Sequence, residues 1–408
     1  MRSYLIIFFA MLMRLADKRL AALVPPEEGT MIIVGKLVKM AVKVLALVMA
    51  AVCISTVEPM RAARAFETIT EYETAFQQQN GGRDLRSLSV HPNGQDWLFL
   101  ECLDQEDSCF VMRYNLGTGI LSRFVLPEGY SYSYAHYSPR GTYILMSRNP
   151  LYGRTYADAQ RGVGASQILM MRSDGTDLRI LPVSPGVNLS PGMSPDEKKI
   201  AFWRSDRVLP PGRVSLLDLN IWEYDLSSKS ERLFAGKKFD FLSGRELFYR
   251  NGNEIFLGSY GPSSRLRNPG YGKKYDGNEI FTLSRGQLED PVPVQYPNVI
   301  NASFRTADDQ GNVFVWAGTI QDPSQGLMRV SPDQRQTIWR ARTRSYPKEL
   351  AADPAGRFVA AIFWDLPMSR GEKRVGFAKF SLETQSWENV RVPSVEQATL
   401  IQVSAVDL

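Results

Sequence analysis

Ser194-Pro-Asp-Glu-Lys-Lys-Ile-Ala-Phe is the stretch whose reading decides the fold. A small polar residue opens it, a tight polar turn follows, and an apolar run closes it. The phrase returns as His91-Pro-Asn-Gly-Gln-Asp-Trp-Leu-Phe, Ser138-Pro-Arg-Gly-Thr-Tyr-Ile-Leu-Met and Asp353-Pro-Ala-Gly-Arg-Phe-Val-Ala-Ala. Two weaker copies read Leu242-Ser-Gly-Arg-Glu-Leu-Phe-Tyr and Asp309-Gln-Gly-Asn-Val-Phe-Val-Trp. Pro presets the φ of a turn, Gly supplies a left-handed corner, and an apolar run of this length behind them is a strand.

Taken at Gly94, Gly141, Glu197, Gly244, Gly311 and Gly356, the copies are spaced by 47, 56, 47, 67 and 45 residues. That period is close to the length of a four-stranded propeller blade with loop insertions. A second phrase runs in step with the first: Phe110-Val-Met-Arg-Tyr-Asn, Ile168-Leu-Met-Met-Arg-Ser, Ile221-Trp-Glu-Tyr-Asp-Leu, Ile280-Phe-Thr-Leu-Ser, Leu327-Met-Arg-Val-Ser and Phe377-Ala-Lys-Phe-Ser. Each is a strand ending in a turn, and no sustained helical periodicity interrupts the series. The pattern predicts an all-β, six-bladed β-propeller. A seventh blade stays open, because Asn253-Glu-Ile-Phe-Leu is nearly repeated at Asn278-Glu-Ile-Phe-Thr. Phe66–Phe76 and Thr399–Val406 are the natural pieces to close the ring, one strand completing a blade begun by the other.

These repeats, Ser194-Pro-Asp-Glu-Lys-Lys-Ile-Ala-Phe above all, resemble those of the TolB-like propellers, a WD40-like repeat family. The resemblance covers roughly residues 85–392 and implies a six-bladed, often periplasmic, propeller. TolB itself carries an N-terminal α/β domain and binds a peptidoglycan-associated lipoprotein. The present reading leaves no such domain before the first repeat.

Residues 1–65 read as a targeting segment and 66–408 as the propeller. Lys36, Lys39 and Lys43 lead into the apolar stretch Met40–Val57, and Ala63-Arg64-Ala65 is a small-x-small cleavage site. This is the layout of a Sec-type signal cut after Ala65, with Met31 an alternative start, and it predicts a periplasmic or secreted protein. The apolar stretch is also long enough for an uncleaved membrane anchor. The whole chain has 48 Lys and Arg against 43 Asp and Glu; the first 65 residues hold 9 and 4 of these, leaving 39 of each sign. A balanced chain lacks the basic excess that nucleic acid requires, so no nucleic-acid partner is expected. Cys102 and Cys109 flank a short polar loop between two apolar runs, and in an oxidising compartment they are expected to form a disulfide. A metal site using Asp104, Glu106 and Asp107 has no second cluster to complete it.

In a blade, the loops joining strands one to two and three to four share one face. Those joining two to three, and one blade to the next, share the other. The first set is tight here and the second holds the insertions. These carry the candidate binding residues Tyr152, Arg154, Tyr156, Arg161, Arg207, Arg213, Arg265, Arg267, Tyr271 and Arg370. Arg and Tyr combine apolar area with directed hydrogen bonds, so this face is expected to bind an envelope protein or an anionic glycan. Ordinary solvated loops are the bland alternative.

No catalytic residue, metal or cofactor site is read from the sequence. His91 and His136 sit at or beside repeat turns, and Asp308-Asp309 and Glu289-Asp290 read as solvated turns. No nucleophile elbow, metalloprotease pair or phosphate-cradling loop occurs. The alternative is a secreted lyase or hydrolase of polysaccharide, with its site in the central channel. Trp97, Trp203, Trp222, Trp316 and Trp364 fall at repeated strand positions and are expected in the core, whereas Trp339 and Trp387 are less constrained.

Overall fold

A computed structural model describes residues 84–102, 109–153, 155–208, 216–236, 239, 241–242, 247–260, 279–289, 294, 299–319, 326–333, 336–339, 347–367 and 373–406. Six antiparallel sheets follow one another along the chain. Blade 1 comprises β1 (Asp84–Val90), β2 (Asp96–Cys102), β3 (Cys109–Asn115) and β4 (Leu121–Val125). Blade 2 comprises β5 (Tyr130–Tyr137), β6 (Tyr143–Pro150), helix α1 (Tyr156–Gly164), β7 (Gln167–Arg172) and β8 (Arg179–Ile180). In blade 3 are β9 (Val187–Met193), β10 (Lys199–Val208), β11 (Leu216–Asp225) and β12 (Ser230–Leu233). Blade 4 holds β13 (Phe241–Leu242), β14 (Phe248–Asn251), β15 (Glu254–Tyr260) and β16 (Glu279–Ser284). Blade 5 is β17 (Val299–Ala307), β18 (Val313–Thr319), β19 (Gly326–Val330) and β20 (Gln336–Trp339). Blade 6 is β21 (Pro347–Ala352), β22 (Phe358–Pro367), β23 (Lys373–Ser381) and β24 (Ser386–Val390). The inner strand β1 neighbours both β5 and β21, which closes the ring. The protein is a six-bladed β-propeller.

The apolar runs of the repeat follow from this geometry. A blade is covered on both faces, so successive residues of a strand serve alternate neighbours, and both sets must be apolar. In β2, Trp97 and Phe99 pack towards blade 6 while Leu98 and Leu100 pack towards blade 2. In β10, Ile200 and Phe202 face blade 2, and Ala201 and Trp203 face blade 4. Six hydrophobic clusters fill the six junctions, the remaining two lying between blades 4 and 5 and blades 5 and 6. Trp97, Trp203 and Trp316 are buried as expected, while Trp222 is half-buried. Trp387 lies half-buried on the outer strand β24, where its edge meets Phe363.

Two expectations are corrected. In blade 4 the turn between the first two strands lies at Gly252-Asn253, between β14 and β15, and not at Gly244. The short strands β13 and β14 both pair with β15, opposite β16, so they are two pieces of one inner strand. Glu254-Ile-Phe-Leu and Glu279-Ile-Phe-Thr, the described parts of the two similar phrases, therefore lie on adjacent strands of a single blade. Ring closure also differs from the expectation. Blade 1 draws all four of its strands from 84–125, and β25 (Thr399–Gln402) adds to it as a fifth, outermost strand parallel to β4. The tail then reaches blade 2, where Leu178 donates to Ser404 O (2.9 Å) and Val406 donates to Leu178 O (3.0 Å). Phe66–Phe76 and the targeting segment lie outside the described residues. Among the described residues no helix is long and apolar enough to cross a membrane.

The innermost strands pose a physical problem, because one edge of each faces the channel without a ladder partner. Hydroxyls of a neighbouring blade meet part of this demand. Ser87 Oγ donates to Ala135 O (3.0 Å) and accepts from Ala135 N (2.9 Å). Ser89 Oγ accepts from Tyr137 N (3.1 Å), Ser147 Oγ from Ser190 N (2.8 Å) and Thr306 Oγ1 from Ala352 N (3.0 Å). Ser87 (φ 57°) sits at a register shift of the β1–β2 pair, a bulge that aims its hydroxyl at the next blade. Removing the hydroxyl orphans two buried backbone groups. Ser87→Ala is expected to lower stability by about 1–3 kcal/mol, against almost no change for the exposed Ser228→Ala, as read by urea unfolding.

Candidate functional site

The repeat turns are built around their first residue. Ser138 Oγ accepts from Tyr143 N (2.9 Å), Ser194 Oγ from Lys199 N (3.0 Å), Asp308 Oδ1 from Asn312 N (2.9 Å) and Asp353 Oδ2 from Arg357 N (3.0 Å). Several turns also clasp a neighbouring blade. His91 Nε2 lies 3.1 Å from Gly141 O, Gln310 Nε2 donates to Ala355 O (3.3 Å), and the Arg357 guanidinium overlies Gly94. At the corner where the other turns place Gly, Glu197 adopts φ 57°. A left-handed non-glycine residue is strained by about 1–2 kcal/mol. Its carboxylate offsets this by accepting from Ser138 Oγ (2.5 Å) and Arg140 N (3.1 Å) of blade 2.

Inside this ring of turns lies a cavity of about 320 Å³, lined from all six blades. Blade 3 is set back there, because Gly192 lies against the Leu247 carbonyl, where a Cβ would come within 2.1 Å. That recess lets His136 of blade 2 meet Phe248 of blade 4 edge to face, with ring centroids 5.9 Å apart. The two rings narrow the channel and give the cavity a floor. Arg140, Arg250 and Asp309 are exposed at its rim.

Asp308 is not in a solvated turn, as the sequence suggested, but is buried. His136 is half-buried on the channel wall, and the Asp308 carboxylate is held by Asn312 and the Gln310 amide. Burial raises the Asp308 carboxyl above its ordinary range in spite of those bonds. His91 keeps its scaffold role. Its Nδ1 accepts from Asn93 N (3.1 Å), which assigns the proton to Nε2 facing Gly141 O.

On the opposite face the strand 2–3 insertion of blade 2 holds α1, a correction to the expectation of no helix. Thr155 caps it, accepting from Asp158 N (3.2 Å), while Asp158 Oδ2 accepts from Thr155 N (3.2 Å) and Oγ1 (2.7 Å). Thr-x-x-Asp was the available signal. Tyr152 is 43% exposed, and the Arg161 guanidinium lies 4.1 Å from its ring centre. Tyr156 opens the helix, and Arg207 lies near the end of β10, the strand beside which α1 sits. Four of the candidate residues are thus brought to blades 2 and 3. Arg154, Arg213, Arg265, Arg267, Tyr271 and Arg370 lie outside the described residues. Cys102 and Cys109 pair directly across β2 and β3 and form the expected disulfide, Cα–Cα 4.1 Å.

The other buried charges are spent on the scaffold. Arg204 forks onto Glu231 (2.8 and 3.0 Å) and donates to Asn188 (2.9 Å), which holds the Glu231 carboxyl down at about 2. Burial would raise the fully buried Glu223, but bonds from Arg285 and Arg232 hold it below its usual range. Asp84 joins Lys348 (2.5 Å) and Arg86 where blade 1 meets blade 6. Among the described residues no group of three or more His, Cys, Asp or Glu could hold a metal ion.

No protein-family model matches the chain, and no curated protein matches it. Solved structures do. A puromycin-hydrolysing peptidase of Mycobacterium tuberculosis is similar with TM-score 0.49 and 13% identity, over 78% of this chain and 54% of that one. TolB from Acinetobacter baumannii is similar with TM-score 0.45 and 11% identity, over 78% and 69%. An oligogalacturonate lyase in complex with manganese is similar with TM-score 0.46 and 10% identity, over 75% and 77%. The likeness is one of fold. The chain spans about half the length of the peptidase it matches.

The channel wall has a pH signature. Burial pushes the His136 imidazole from 6.5 down to about 4, outweighing its 2.9 Å bond to Tyr137 O. Between these values the unfolded chain takes up a proton that the folded chain refuses, so stability falls as pH drops through the window. Urea midpoints measured from pH 7 to 4 are expected to fall across that span, and His136→Gln to flatten the fall. An unchanged slope in the variant would place its source elsewhere.

Proposed function

We propose that this protein is an exported binding propeller of the cell envelope that engages a protein or anionic-polymer partner through its long-loop face. The observation that carries this reading is the capped helix α1, which presents an exposed Tyr152 stacked on Arg161 beside the end of β10. Capping and stacking preorder the insertion, so less conformational entropy is lost when a partner docks on it. The disulfide supports export, since such bonds persist in oxidising compartments.

Binding is favoured over channel catalysis by how the acids and imidazoles are used. His91 has both ring nitrogens in scaffold contacts, and His136 is neutral with Nδ1 turned to its own backbone. Asp308 and Asp353 each hold a turn. A carboxylate pair free to act as acid and base is what a glycoside hydrolase would need in the channel.

The test is capture from envelope extract by immobilised protein, followed by the same capture with Arg161→Glu/Arg207→Glu. Wild type is expected to retain one principal partner or an anionic glycan in a salt-sensitive manner, with at least about tenfold less retained by the variant. Equal retention by the variant would remove the long-loop face from the account. Product release from a panel of anionic polysaccharides would favour the enzyme instead.

A further inference from the structure

The cavity on the turn face is separate from the long-loop face, and its polarity is ordered. The floor is apolar and aromatic, formed by His136 and Phe248, with Met193 beside them. Because His136 Nδ1 must donate to the Tyr137 carbonyl, its Nε2 is left as an acceptor. At the rim, Arg140 of blade 2 and Arg250 of blade 4 flank the recessed blade 3, which lines the notch between them with Gly192, Met193 and Pro195. Arg140 makes no ion pair among the described residues, while Arg250 forms a long, exposed ion pair with Glu254 (4.0 Å) and lies over the Phe256 ring, 5.5 Å from its centre. Across the cup stands Asp309 of blade 5, whose carboxylate also has no described hydrogen-bond partner.

We propose that this cup binds the free C-terminal residue of a peptide. The apolar side chain rests on the His136–Phe248 floor, the α-carboxylate lies between Arg140 and Arg250, and the terminal amide N–H meets His136 Nε2 or Asp309. This occupant uses each feature of the cup. A simple apolar anion would leave the acceptors without donors, and an anionic sugar would leave the floor without an apolar group. A volume of about 320 Å³ suits one or two residues, with the remainder of the peptide leaving through the open mouth. Two guanidiniums on one carboxylate also give the directed, charge-assisted bonds by which a chain end is told from an internal residue.

The experiment is calorimetric titration of the full chain at pH 7 with the tripeptide acetyl-Gly-Ala-Phe, as free acid and as C-terminal amide. The free acid is expected to bind, and the amide about tenfold more weakly or not at all. Arg140→Ala/Arg250→Ala, both at exposed positions, is expected to weaken the free acid to the level of the amide while leaving the thermal midpoint within a few degrees. Asp309→Asn is expected to have a smaller effect. Equal binding of acid and amide, undiminished binding by the double variant, or no binding at millimolar peptide would each overturn the proposal. Preferential binding of a galacturonate oligomer would overturn it in favour of a sugar site. The outcome is independent of the Arg161/Arg207 capture, since those residues lie on the other face.

Discussion

The inner strand of every blade has one edge with no strand to pair with, and the rest of the structure is arranged around that fact. Hydrophobic wedges between blades can be supplied by any alternating apolar run, but they do not satisfy backbone N–H and C=O groups. Serine and threonine hydroxyls from a neighbouring blade do so at Ala135, Tyr137, Ser190 and Ala352. Register shifts mark these junctions: Ser87 (φ 57°), whose hydroxyl reaches Ala135, and Ser190 (φ 49°), whose N–H donates to Ser147 Oγ, both lie in the left-handed region. The turns extend the same logic outward, spending side chains on their own backbone and, at four junctions, touching a neighbouring turn.

The two faces follow from this division. On the turn side the chain is short and locked, so the features left over for a ligand are those displaced by packing: a Gly192 pressed on the Leu247 carbonyl, two rings meeting across the channel, and exposed charges at the rim. On the opposite side the connections are long, and α1 is held by its own cap, by the Arg161–Tyr152 stack and by Gly162 seated against the Pro150 carbonyl of β6. Rigidity on one face and presentation on the other are what a binding scaffold needs.

The blade count was legible because turn chemistry is local: Ser-Pro-Asp-Glu and Asp-Pro-Ala-Gly state their own geometry. Blade 4 was misplaced by one turn because Ser243-Gly244 resembles the repeat, while the actual corner at Gly252-Asn253 lacks the leading Ser or Asp that locks the others. Helix α1 was legible in Thr155-x-x-Asp158 but is too short to show a period. The cup could not be read at all. It is assembled from short stretches of all six blades, and its shape depends on Gly192 meeting the Leu247 carbonyl, a long-range contact that leaves no spacing in the sequence. Asp308 misled for a related reason, since a doublet of acids looks solvated until the turn buries one of them.

Amide hydrogen exchange tests the central claim most directly. The amides of Ala135, Tyr137, Ser190 and Ala352 have no ladder partner and are capped by a hydroxyl from the adjacent blade. They are expected to exchange as slowly as paired amides in the middle strands, opening only with global unfolding. Rapid exchange at these positions, with slow exchange retained in β2, β6 and β22, would show that the hydroxyls do not hold the ring together.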